Sequence, residues 1–258
     1  MTRDARPRRL TNRAWSRAGA VAAVLASGTP RRALTSAARA TYLGAGSALI
    51  ACGVALTLWL GLGAGPLDVF IGAISERTGV AFTFALWGTV ATMLGIATLL
   101  GRRPGPGTIA APFLIGPLIE AALAGLDAIP QPTLVVAQIP LQLVGVGLIG
   151  LGSGMLIVSG LGAGTGELLA AAAADRTGRP DTLVRTTIEL TWVITGVALG
   201  GPAGAGTVIV AALIGPAVAR GHAIADRVAV GTHRSAAATH AKIIERERRA
   251  ELALADSR

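Results

Sequence analysis

The 258 residues are 52% hydrophobic and 14% charged, with a mean hydropathy of +0.62 and a formal charge of +9. Soluble domains carry about 25% charged residues, so a water-soluble globular domain is excluded. The basic residues crowd both ends with apolar chain between them, which suits an anionic membrane leaflet and argues against a nucleic-acid surface.

Residues 1–41 form a basic tail with nine arginines, among them Arg3, Arg31 and Arg39. Its apolar run Ala18 to Gly28 imitates a secretory signal. Cleavage there would invert the charge rule given below, so an interfacial helix or a misassigned start is expected instead. Six later runs, 42–60, 82–100, 108–126, 134–159, 183–200 and 207–225, approach the ~20 apolar residues that a spanning helix needs. Two shorter pieces, 66–75 and 165–174, are re-entrant or interfacial half-helices on this reading. The expected units are repeat 1 at 42–126, an outer loop at 127–133, repeat 2 at 134–225, and a C-terminal tail at 226–258 that contains the helix-prone AKIIERERRAELALA.

The two units are copies. GLGAGPLDVFIGAISERTG from Gly61 returns as GLGAGTGELLAAAAADRTG from Gly160, an offset of 99 residues. Gly107-Thr108 and Leu114–Pro117 recur at the same offset as Gly206-Thr207 and Leu213–Pro216. Such self-similarity marks an internal duplication. With the N-terminus inside, the inner segments hold 22 of the 23 basic residues and the outer loops hold only Arg77. Three spans per copy is an odd number, so the second copy crosses in the opposite sense. The fold class expected is an all-α polytopic membrane protein, with six transmembrane helices as two inverted three-helix repeats and both termini cytoplasmic.

The candidate site follows from that plan, because interrupted segments in paired repeats mark substrate sites in transporters. Gly61, Gly63 and Gly65, then Gly160, Gly162 and Gly164, form the turns, and Pro66 suits a first helical position. Asp68 and Glu167 lie in the first turns of the half-helices, either as a proton- or cation-binding pair or as plain helix-start acids. Arg77 and Arg176 close those helices. Arg77 is expected to pair with Glu76 or Asp68, or else to touch an anionic ligand. Glu120 lies on an apolar span with no local partner, whereas Glu189 has Arg185 one turn earlier. GVGLIG at Gly145–Gly150 lacks a βαβ setting, so no dinucleotide site is expected. Small-xxx-small spacing at Gly61/Gly65, Gly160/Gly164 and Gly196/Gly200 permits close helix packing instead.

Cys52 is the single cysteine, and His222, His233 and His240 are spaced too irregularly for zinc. No Walker A, GxSxG or HExxH motif occurs. No metal, cofactor or enzymatic activity is therefore expected.

GLGAGPLDVF…ERTG, GRRPGPGT, LIGP, GLGAG…DRTG and GTVIVAALIGP resemble the YczE/YyaS/YitT-type bacterial integral membrane proteins over about residues 42–220. The resemblance implies a polytopic inner-membrane protein. It carries over no catalytic residues, and Thr165-Gly166-Glu167 departs from the Pro-x-Asp of the first copy. Two functions fit. One is a secondary transporter or permease for a small molecule or ion, with the bilayer and its anionic lipids as surroundings. The other is a non-transporting scaffold for a partner complex.

Overall fold

Long runs of Leu, Ile, Val, Ala and Gly, broken by glycine- and proline-bearing turns, leave the backbone little choice but helices joined by short links. The structure, a computed structural model, describes residues 34–256, with side chains as far as residue 230. The arginine-rich segment before residue 34, including the Ala18 to Gly28 run, lies outside the described residues. Among the described residues there are eight helices and no strand. They are α1 (Ser36–Trp59), α2 (Pro66–Thr78), α3 (Phe82–Leu99), α4 (Pro106–Leu126), α5 (Val135–Ser159), α6 (Thr165–Thr177), α7 (Asp181–Ala198) and α8 (Ala205–Asp256).

The duplication is visible residue by residue. Every helix from α5 on starts 99 residues after its counterpart. The described glycines with positive φ also pair at that offset: Gly61/Gly160, Gly63/Gly162, Gly79/Gly178 and Gly101/Gly200. Gly79 and Gly178 end α2 and α6 in the left-handed conformation, where a side chain would be strained. Each short helix is thus thirteen residues long, slightly more than the ten expected.

Five helices are long and apolar enough to cross a membrane: α1, α3, α4, α5 and the Ala205–Val230 part of α8. Five of the expected six spans are among these, and α7 forms its helix but is not one of them. The reason is its composition: Asp181, Arg185 and Glu189 fall within eighteen residues. Large apolar side chains such as Phe84, Leu99, Phe113, Val136 and Ile194 stand exposed on the long helices, as suits lipid contact. Beyond residue 230 the backbone of α8 stays helical to Asp256. The Glu245–Arg249 spacing read from the sequence lies outside the described side chains.

α1 and α5, the equivalent helices of the two copies, cross face to face on glycine. A Cβ on Gly46 would meet the Gly152 carbonyl at 2.8 Å, and one on Gly53 would meet the Gly145 carbonyl at 2.6 Å. Rising numbers on α1 meet falling numbers on α5, so the two helices run antiparallel. α4 lies along α1 and α8 along α5. Gly150 abuts Ala217 and Gly154 abuts Gly221, so α5 and α8 run parallel.

The short helices are exchanged between the copies. α2 packs on α7, with the Phe70 and Trp192 rings 4.7 Å apart, and α6 packs on α3 around Met93, Ala97, Leu168 and Ala172. Of the glycine pairs read as packing motifs, Gly196 does pack against α2, while Gly61, Gly160 and Gly200 face open space and serve as turns.

Candidate functional site

Two turns with one design frame the site. Gly61 (φ 68°) and Gly63 (φ 113°) swing the chain from α1 into α2, and Gly160 (φ 65°) and Gly162 (φ 145°) do the same between α5 and α6. Each turn docks on the other copy. The Gly107 N–H donates to the Leu161 carbonyl (2.9 Å), and the Gly206 N–H donates to the Leu62 carbonyl (2.7 Å). The Thr108 hydroxyl donates to the Ala163 carbonyl at 2.6 Å, and the Thr207 hydroxyl sits where a Gly63 Cβ would be. These bonds satisfy backbone groups that the turns would otherwise leave orphaned. One further support is unpaired in the repeat: fully buried Gln142 donates to the Gly63 carbonyl at 3.0 Å, where the first copy has Leu43.

Gly65 and Gly164 have ordinary extended backbone, so φ does not demand glycine there. Space does. Asp68 folds back to accept from the Gly65 N–H, and a Cβ on Gly65 would lie 2.7 Å from its Oδ2. The Glu167 carboxylate lies just as close against Gly164. Both acids occupy the third helical position and curl back on the N-cap, as the acid of a capping box does. Pro66 takes the first position of α2. The helix-start reading therefore describes their local geometry.

Their surroundings go further. Asp68 and Glu167 line one cavity of about 270 Å³, closed mainly by aliphatic side chains of α1, α3, α4 and α5 with Thr108, Ser153 and Ser159 as polar points. The equivalent pairs Val54/Ser153 and Ile119/Val218 also line it, so the cavity spans the seam between the copies.

The two carboxylates differ in company. Arg185 on α7 reaches Glu167 at 3.3 Å through Nη1 and Glu189 at 2.9 Å through Nε. The Arg185–Glu189 pair was legible in the sequence as an i,i+4 spacing, whereas the bridge to Glu167 was not. The position equivalent to Arg185 is Leu86, and Asp68 makes no ion pair among the described residues.

The remaining candidates lie elsewhere. Glu120 Oε1 accepts from the Thr83 N–H at 2.9 Å, so it caps the start of α3 from the neighbouring helix α4. Arg77 and Arg176 are exposed in the last turns of α2 and α6 and make no ion pair among the described residues. The expected pairing of Arg77 with Asp68 or Glu76 is thus corrected: α2 holds Arg77 and Asp68 at opposite ends, and Glu76 is itself exposed. Arg102 instead bonds Asp175 at 2.7 Å, which holds the Arg102 guanidinium above its ordinary pKa. Among the described residues no group of three His, Cys, Asp or Glu side chains is placed to hold a metal.

A family of unknown function, DUF6198, matches the chain over residues 20–124 and 107–222. The chain belongs to this family. The uncharacterized membrane protein YczE of Bacillus subtilis (strain 168) is 33% identical over 181 residues, covering 69% of this chain and 82% of that protein. No solved structure matches. The YczE-type resemblance carried by the doubled GLGAG phrases therefore stands. This DUF6198 member is a helical membrane protein, and both of its turns fall within the matched residues.

Proposed function

We propose that this DUF6198 protein is a secondary transporter or permease of the cytoplasmic membrane, built from two inverted repeats with both termini inside. The observation that carries the reading is the convergence of Asp68 and Glu167, equivalent residues of the two copies, on one cavity. Sites of that kind, at a repeat interface beside interrupted helices, are what alternating access requires. Two further observations support the plan. α1 and α5 are equivalent yet antiparallel, as repeats of opposite orientation demand. Contacts between links also join segments that the charge rule puts on the same side: Arg102 with Asp175 inside, Gln131 with the Trp59 carbonyl and Ala64 with Pro202 outside.

On this reading α7 is a sixth crossing. It links the inner end of α6 to the outer end of α8, and its exposed face carries Leu183, Leu190, Ile194 and Val197. Its Arg185 reaches Glu167 and Glu189, and such pairing is how ionisable groups inside a bilayer are accommodated. Arg77 and Arg176 stay outside this mechanism on their exposed turns, and the basic tails hold the protein against anionic lipid.

Purified full-length protein in liposomes tests the proposal by uptake of labelled small solutes. Saturable flux in wild type that falls in Asp68→Asn and Glu167→Gln, with both variants inserted and folded, is expected. Flux that is absent from wild type across solutes, or unchanged in both variants, sinks it and leaves a scaffold for a partner complex.

A further inference from the structure

The cavity's charge and access route say more about what it takes. Around Glu167 the only cation among the described residues is Arg185, and it is already divided between Glu167 and Glu189. Asp68, which lines the same cavity, has a bond from its own N-cap and no counter-ion among the described residues. Among the described residues Glu167 and Glu189 thus share one guanidinium and Asp68 has none, so these three carboxylates are formally short of two positive charges. An anion placed there would meet like charge with no free donor cation, at a large cost.

The remaining wall is mainly aliphatic, with Leu43, Ile50, Val54, Leu86, Val90 and Ile115, and its side-chain hydroxyls are those of Thr108, Ser153, Ser159 and Thr165. Room for roughly nine waters at about 30 Å³ each far exceeds what a proton or bare metal ion needs. Mainly apolar walls would also leave a hydrated inorganic ion few replacement ligands for its lost water. A body of about that many heavy atoms, apolar and carrying one positive charge, meets both features.

A second opening shows how such a body arrives. Val90 and Pro112 line the cavity and also line a groove of about 680 Å³ between α3 and α4. That groove is almost wholly apolar, with Trp87, Leu94, Ile109 and Phe113 along it, and the Trp87 indole N–H bonds the Pro112 carbonyl at 3.0 Å. Phe113 and Ile109 stand exposed at its mouth, where an embedded helix pair would meet lipid. The side chains of Val90 and Pro112 are the partition between bilayer and cavity.

We infer that the cavity between the two copies binds a small lipophilic organic monocation, seated on Asp68 and admitted sideways from the bilayer through the α3–α4 groove. This rests on the transporter reading for its purpose, yet binding alone can be measured without it. The full chain in lipid nanodiscs is titrated with labelled tetraethylammonium, whose charge is permanent, with hexylammonium and hexanoate as competitors.

Saturable binding is expected, displaced by hexylammonium and untouched by hexanoate. Asp68→Asn removes the counter-charge that faces the ammonium and weakens binding about tenfold or more. Ser153→Leu fills the cavity while sparing both acids, and weakens it comparably. Glu76→Gln, on an exposed turn, leaves it as in wild type. Should Asp68→Asn fail to fold, as judged by gel filtration, Ser153→Leu decides. No saturable binding in wild type, equal displacement by hexanoate, or wild-type affinity in every folded cavity variant overturns the inference. Cation binding without flux in liposomes would end the transporter reading alone, while flux of some other solute without cation binding would end this inference alone.

Discussion

Arg185 is a residue whose worth depends on its neighbours. It is about a third exposed, at 32%, and is shared between two carboxylates, Glu167 and Glu189. Replacing it with Met leaves Glu167 and Glu189 facing each other without compensation. Partial exposure lowers the cost below that of a deeply buried pair, so a loss of about 1–3 kcal/mol is expected by thermal unfolding in detergent. Adding Glu167→Gln and Glu189→Gln to Arg185→Met should recover much of that loss, and no recovery would show that the guanidinium acts by packing alone. Arg102 provides the contrast. Its pair with Asp175 is exposed on both sides, 45% and 60%, so Arg102→Ala should shift stability by less than about 1 kcal/mol. For Glu120, the Thr83 bond gives a definite expectation. Glu120→Gln keeps the acceptor and should be near neutral, while Glu120→Ala costs about 1 kcal/mol of α3 capping.

Elements meet here through missing side chains. At Gly53 a Cβ would stand 2.6 Å from the Gly145 carbonyl and 2.7 Å from Ile149 Cγ1, and the first of these is backbone that cannot rotate away. Gly53→Ala must therefore part α1 from α5, with an expected loss of about 1–3 kcal/mol in unfolding measurements. Gly44 lies on the same helix with nothing within 4 Å. Gly44→Ala there gains helix propensity, worth about 0.5–1 kcal/mol. Equal effects of the two substitutions would mean that α1 and α5 are not in contact. The glycines of α1 and α5 could have been noticed in the sequence as a doubled pattern, since Gly46 and Gly53 return as Gly145 and Gly152. Their partners could not, because the 46–152 and 53–145 pairing depends on an antiparallel crossing that no local spacing encodes.

For the whole molecule, the arrangement of ends is the testable quantity. With Cys52 replaced by Ala, single cysteines at Arg77 and at Arg102 report opposite faces of the membrane. A membrane-impermeant maleimide added to intact cells should label Arg77→Cys and spare Arg102→Cys until the membrane is permeabilised. Labelling of both from outside would break the inverted arrangement, since α3 connects the two positions. The interlocked turns make a second expectation at this scale. Gly107 and Gly206 each bond the turn of the other copy, so the halves support one another. Expressed separately, residues 34–130 and 131–256 should be degraded, and co-expressed they should recover.

The sequence by itself determined whatever depends on composition and on the chain's own period. Helix positions, glycine-set turns, the 99-residue duplication and the YczE-type resemblance all follow from local chemistry repeated in register. The Arg185–Glu189 pair belongs with them, because a four-residue spacing places two side chains on one helix face. Charge content sets α7 apart: the run 183–200 forms its helix but is not among the helices apolar enough to cross a membrane, and Arg185 makes sense only once Glu167 is seen opposite. Tertiary structure alone decided which helices exchange partners, that Glu120 caps α3, and that among the described residues Asp68 lacks a cation while Glu167 has one. The physical reason is range. Backbone conformation answers to neighbours within a turn or two, whereas the charge balance of a cavity is set by side chains brought together from helices far apart in the chain.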